Sequence, residues 1–251
     1  LWIFVINAIS FLLSAILECF INIPPRTGCQ NQDNSSGIFK DMKQGYDYIF
    51  SNQSLVILLF IVMIIHFFVG SMEIFMPVLA DEISRDGVKT LGFFHAAFGF
   101  GTILMAVVLS FHDISGKEKT TLFTSVFTIG LLYVAASCFK GDTMVLTVLF
   151  LGMIFLSGCC IICAGISFKT LLQKSIDNSF SGRVFAVAGS VGNASIPGAM
   201  IIYGILLEKI TFQSLLLWSG LILMLISTIL LMLYKEKKNV RTIEIDSRPI
   251  A

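Results

Sequence analysis

Two apolar stretches of this chain carry the side chains that could do chemistry. In the first, residues 55–79, His66, Gly70, Glu73 and Pro77 recur at i, i+4, i+7 and i+11. At about 100° per residue those positions form one stripe of a helix. The stretch is long enough to cross a bilayer, and an ionisable group at the bilayer centre costs about 2.5–3.5 kcal/mol. A carboxyl and an imidazole kept there point to a proton or cation site, and Glu73 is the first candidate, with His66 assisting. The competing reading of Glu73 is a structural carboxylate paired near the membrane surface. The second stretch, residues 183–207, carries Asn193, which can hydrogen-bond a ligand, and Pro197-Gly198. Pro197 removes a backbone donor and predicts a bent or loosened helix near mid-membrane, as in helices beside transport sites, or else a kink kept for packing. Phe67, Phe68, Phe94 and Phe98 offer apolar contact, and Met72 can adapt to varied shapes. Arg183 opens the stretch and is expected to snorkel to headgroups, or to make a gate contact.

The solvent that these residues meet follows from composition. The 251 residues are 56% hydrophobic and 13% charged, with a mean hydropathy of +0.88, against about 25% charged in a soluble domain. The net charge of +1 gives no reason to expect nucleic acid as a partner. Continuous apolar runs without period-2 alternation argue for helices and against a barrel. The expectation is an all-α, polytopic helical membrane protein with seven spans at about 1–23, 55–79, 91–111, 120–139, 144–168, 183–207 and 212–234. If the first span ends in the cytoplasm, thirteen Lys and Arg fall inside and four outside, which places the C-terminus inside.

Along the chain, Pro24-Pro25 stops the first span. Residues 27–36 read as a flexible loop. Ile38, Phe39, Met42, Tyr46, Ile49 and Phe50 share one helical face, which fits either a helix lying in the membrane interface or one packed on the bundle's inner end. Gly92, Ala96 and Gly99 form a small-residue face for close helix approach, as do Ala188, Gly192, Ser195 and Ala199, and Gly152, Ser157, Gly158, Ala164 and Gly165 read as packing. His95 is expected near the outer end and facing water. The fourth and seventh spans are plain scaffold. Cys160-x-x-Cys163 has the spacing of a redox or metal pair, but no polar residue surrounds it, and packing is the preferred reading. The tail, 235–251, is charged and expected to be disordered. The chain opens at Leu1 inside an apolar run, without an initiator Met or a signal peptide, and is expected to be a fragment that lacks its N-terminal part.

Three motifs carry a family resemblance: Phe39-Lys-Asp-Met-Lys-Gln-Gly-Tyr-Asp-Tyr-Ile-Phe50 with its Gly45-Tyr46; Phe75-Met-Pro-Val-Leu79; and Ser181-Gly-Arg-Val-Phe185, which runs on to Ile196-Pro-Gly198 and Gly204. With them the chain resembles the C-terminal half of a major facilitator superfamily transporter, in its macrolide-efflux branch of bacterial drug exporters. The loop His112-Asp-Ile-Ser-Gly-Lys-Glu-Lys119 departs from the basic, Gly-Asp-containing loop usual there. The resemblance implies helices six to twelve of a twelve-helix fold. Residues 1–23 would be the last helix of the missing half, 24–54 a cytoplasmic linker, 55–234 a six-helix bundle and 235–251 the tail. It also implies proton-coupled export of lipophilic compounds by alternating access in a bacterial cell membrane. The second, third, fifth and sixth spans would lie at the cavity, making His66, Gly70, Glu73, Phe94, Phe98, Asn193 and Pro197 pathway candidates and Arg183 a gate or interface candidate. The partners would be the lipid bilayer, a small lipophilic substrate, protons and the missing half. No cofactor or metal is expected. Such a half alone is expected to build no substrate gradient.

A seven-helix receptor is the alternative that the span count and orientation permit, although no extracellular cysteine pair and no buried Lys in the last span support it. An enzyme is not expected: His-Glu-x-x-His, Gly-x-Ser-x-Gly and paired intramembrane Asp are all absent.

Overall fold

Hydrocarbon offers no partner to a backbone N–H or C=O, so an apolar chain of this kind must satisfy its backbone within each span. The computed structural model describes residues 2–21, 38–112, 114–141, 144–177 and 179–246, which are helical apart from short connections. The chain divides into two units, Leu1–Phe39 and Lys40–Ala251. In the first, α1 (Trp2–Cys19) is an apolar helix of 18 residues whose described side chains are exposed. Pro24-Pro25 and the loop expected at 27–36 lie outside the described residues.

The second unit holds α2 (Ile38–Ser51, from Lys40 on), α3 (Gln53–Ile83), α4 (Gly87–Phe111), α5 (Glu118–Ser137), α6 (Met144–Lys174), α7 (Ser181–Leu207) and α8 (Phe212–Asp246). Six of them, α3 to α8, are long and apolar enough to cross a membrane. α1, expected as a seventh span, is shorter. Asn52 alone separates α2 from α3 and caps α3 by accepting the Ser54 N–H at 3.1 Å. Asp86 caps α4 in the same way, from the Lys89 N–H at 3.4 Å. α8 continues through Asp246 where the sequence suggests a disordered tail.

The spans pack as α3 on α7, α4 on α6 and α5 on α8, with α5 and α6 also in contact. Each of the first three pairs meets at glycine. A Cβ on Gly101 would strike the Phe155 carbonyl of α6, and one on Gly158 would strike the Phe98 carbonyl of α4. On α5 and α8, a Cβ on Gly130 would lie 2.8 Å from the Gly220 carbonyl, and one on Gly220 2.5 Å from that of Gly130. The small stripe Ala188, Gly192, Ser195 and Ala199 does meet α3, with Ala199 fully buried. The stripe Gly92, Ala96 and Gly99 does not: Gly92 and Gly99 have open space beyond them, and Gly101 makes the close approach instead. Gly152 and Gly165 are likewise open.

Of the two readings of the amphipathic segment, the packed helix matches the described part of α2. Gly45 and Tyr48 face the start of α7 and Ile49 is buried, while Met42 and Phe50 are exposed. The cysteines likewise follow the packing reading. Cys159 donates to the Gly101 carbonyl at 3.4 Å, Cys160 packs against the core and Cys163 is buried.

If backbone contact holds the α4–α6 pair, Gly101→Ala and Gly158→Ala should each destabilise the folded protein by about 1–3 kcal/mol, the usual cost of overpacking. Gly92→Ala should be neutral or slightly stabilising. Unfolding transitions of the three variants in the same detergent check this, and equal midpoints would refute it.

Candidate functional site

The α3–α7 pair carries the polar residues singled out by the sequence. Its helices run parallel, because Gly192 faces His66 while Gly70, one turn further along α3, faces Ile196 and Ala199, about one turn further along α7. Gly70 is buried, and a Cβ there would lie 2.8 Å from the Ile196 carbonyl. The His66 ring rests on Gly192, whose added Cβ would sit 3.1 Å from both Nδ1 and Cε1. His66 Nδ1 lies 2.9 Å from the Val62 carbonyl. A carbonyl only accepts, so Nδ1 carries the hydrogen, and in the neutral ring Nε2 is the acceptor.

Beyond this crossing the stripe changes character. Glu73 and Pro77 are exposed, as are Asn193 and Pro197 on α7, where Ala186 and Gly189 continue the same exposed face. Each proline removes the donor that would serve the carbonyl four residues earlier. Those carbonyls belong to Glu73 and Asn193, so each polar side chain sits on a residue whose own backbone acceptor has lost its helical partner. Both helices nonetheless continue through their prolines, so the loosening expected at Pro197 does not interrupt α7.

Phe94 is fully buried, so a ligand would not reach it without displacing packed side chains, whereas Phe98 is half-buried against the core. Phe68 and Met72 are also core residues. Arg183 is half-buried, with its guanidinium 5.9 Å from the Phe180 ring. His95 is exposed. The interior contains a cavity of about 50 Å³ between α3, α5, α6 and α8, lined by Met72, Phe75, Met76, Tyr133, Met153 and Phe212 among others. A smaller one of about 10 Å³ lies beside Phe68 and Val126. Neither is lined by any of the pathway candidates.

Sequence reasoning passed over the buried polar groups of the supposedly plain spans. Tyr133 of α5 donates to the Phe68 carbonyl at 3.3 Å and lies 3.2 Å from the Ser71 hydroxyl. Tyr203 meets Ser219 of α8 at 2.9 Å. Phe75 packs edge-on against Tyr133, Tyr203 and Phe212. A tyrosine deep inside an apolar run was the available signal, since a buried hydroxyl needs a partner. Glu118, read in the loop 112–119, pairs with Lys174 and is buried.

The family described as transmembrane secretion effector matches residues 1–249. The chain belongs to this family, within the major facilitator superfamily of transporters. It is similar to two proteins named macrolide efflux protein A, one from Streptococcus pyogenes and one from Streptococcus pyogenes serotype M6. The identity to each is 19% over 238 residues, covering 93% of this chain and 56% of the relative. The chain thus spans about half the length of the curated relatives it matches. No solved structure matches it. As a member of the superfamily it is a multi-pass membrane protein of the transporter class and not an enzyme, and the receptor alternative falls with that assignment.

The contact between His66 and Gly192 is directly testable in this transporter-family chain. Gly192→Ala should destabilise by about 1–3 kcal/mol. Adding His66→Ala should recover much of that loss, because the added methyl then meets space. Additive losses in the double variant would mean that the ring does not lie on Gly192.

Proposed function

We propose that the chain is the C-terminal half of a proton-coupled exporter of lipophilic compounds such as macrolides. It would work by alternating access in a bacterial cell membrane with its C-terminus cytoplasmic. The arrangement of α3 and α7 carries this reading. Two parallel helices meet backbone to backbone where Gly70 faces Ile196, and ring to backbone where His66 rests on Gly192, and beside that contact they leave Glu73, Asn193 and two proline-freed carbonyl positions uncovered by the bundle. An acid, an amide and unpaired carbonyls are costly against acyl chains and favourable against water or a polar ligand. α4 and α7 are also the least buried of the six spans, at 11% and 17% against 39% for α3 and α5, as expected of helices whose other faces meet the missing half.

In this mechanism Glu73 takes up and releases the proton, and His66, two turns earlier on the same helix, assists. Asn193 hydrogen-bonds the substrate, and Pro197 allows α7 to flex. Gly70, Phe94 and Phe98 pack the helices that present them. Arg183 anchors the start of α7 and contributes to the gate. Residues 1–23 serve as the last helix of the other half, 24–54 as the linker, 55–234 as the bundle and 235–251 as the cytoplasmic tail. The similarity to proteins named for macrolide efflux supports the substrate class.

The test is export by the full reading frame in proteoliposomes under a pH gradient, with a macrolide as cargo. Glu73→Gln should cut proton-driven export by about tenfold or more while leaving substrate binding largely intact. Undiminished export with undiminished proton counterflow would remove Glu73 from the mechanism, and no export by the unaltered protein would remove the function.

A further inference from the structure

At the end of the bundle where α3 and α7 both begin, one side chain ties three elements together. Tyr48 of α2 stacks on Phe180, with ring centroids 4.2 Å apart and planes within 8°. Its hydroxyl donates to Asp177 Oδ2 at 3.2 Å and accepts the Asp177 backbone N–H at 3.3 Å. Asp177 and Phe180 bracket the turn between α6 and α7, closed by the Phe180 N–H on the Asp177 carbonyl at 2.9 Å. One helical turn away, Gly45 lies on α7 itself, where an added Cβ would be 3.3 Å from the Arg183 carbonyl and from Val187. Between them Ile49 is 1% exposed, and Val184 and Val187 are buried.

Because α2 passes into α3 through Asn52 alone, whatever holds α2 also holds the start of α3. We propose that Tyr48 is a positioning residue that clamps the first turns of α7 to α3. With the second fixed point at Gly70 and Ile196, the lower halves of the two helices form one rigid body. Beyond the crossing, where Glu73, Pro77 and Pro197 lie, the helices meet through the Phe75–Tyr203 ring contact and not through a clamp of this kind. The proposal rests on the exporter reading only for its consequence, which is that the α3–α7 pair moves as a unit at this end and flexes at its prolines.

Hydrogen exchange of the purified chain in lipid nanodiscs tests the clamp without substrate or proton gradient, so it can fail while the exporter reading stands, or the reverse. Tyr48→Ala should raise exchange about tenfold in α2 and in the first turns of α7, residues 181–187, as the stacked ring and both hydrogen bonds are lost. Tyr48→Phe keeps the ring and should raise it about threefold in the same two segments. α5 and α8 should be unchanged in both. Faster exchange confined to α2 would overturn the proposal, since Tyr48 would then hold only its own helix. Unchanged exchange, or a rise throughout the bundle, would overturn it too.

Discussion

Contact between backbones at glycine is the constraint on which this bundle depends. Leu and Ile gain little by leaving lipid for protein, because both are hydrocarbon, so helices in a bilayer must associate through close packing and polar contacts. Gly101 with Gly158, Gly130 with Gly220, and Gly70 against the Ile196 carbonyl supply that closeness for three helix pairs. At each site a side chain of any size would push the axes apart. The pathway candidates inherit their position from one of these contacts, since Gly70 and Gly192 set how far α3 stands from α7.

Between the glycine contacts, hydroxyls keep the interior from being featureless. Ser71, Ser219 and Ser227 are buried and each meets a group on another helix, namely the Tyr133 hydroxyl, the Tyr203 hydroxyl and the Phe123 carbonyl. Such bonds have direction, and they fix the rotation of a helix that apolar contact alone would leave free. Glu118 with Lys174 does the same for the ends of α5 and α6. Among the described residues, Ser167 is a buried hydroxyl with no partner, and its α6 position has no counterpart to these bonds.

Much of the fold was legible because apolar runs of spanning length have one outcome in hydrocarbon, and the six long helices appear where those runs stand. Which face of each helix meets which neighbour was less legible. Gly92, Ala96 and Gly99 had the spacing of a packing face, yet Gly101, two residues past that pattern, makes the contact. Spacing reveals that a face is small but not what stands opposite. The stripe of Ala188 to Ala199 was read correctly because its partner carried a matching glycine. At the site, residue chemistry singled out Glu73 and Asn193, whereas the resting of His66 on Gly192 needed the structure, as it joins residues far apart in sequence. Tyr48 lies outside the apolar face that the sequence assigns to its helix, and only its turn partners Asp177 and Phe180 reveal its position.

The void of about 50 Å³ beside α3 has a consequence of its own. Three of its walls are methionines, Met72, Met76 and Met153, whose unbranched thioethers can change rotamer at little cost. Empty volume is where a dense interior yields most readily, and side chains that can swing into it act as a cushion. A shift of α3 by a fraction of a helical turn could be absorbed there by torsional rearrangement alone. The cushion lies on the side of α3 turned towards α5, α6 and α8, so yielding there would leave the α7 seam intact.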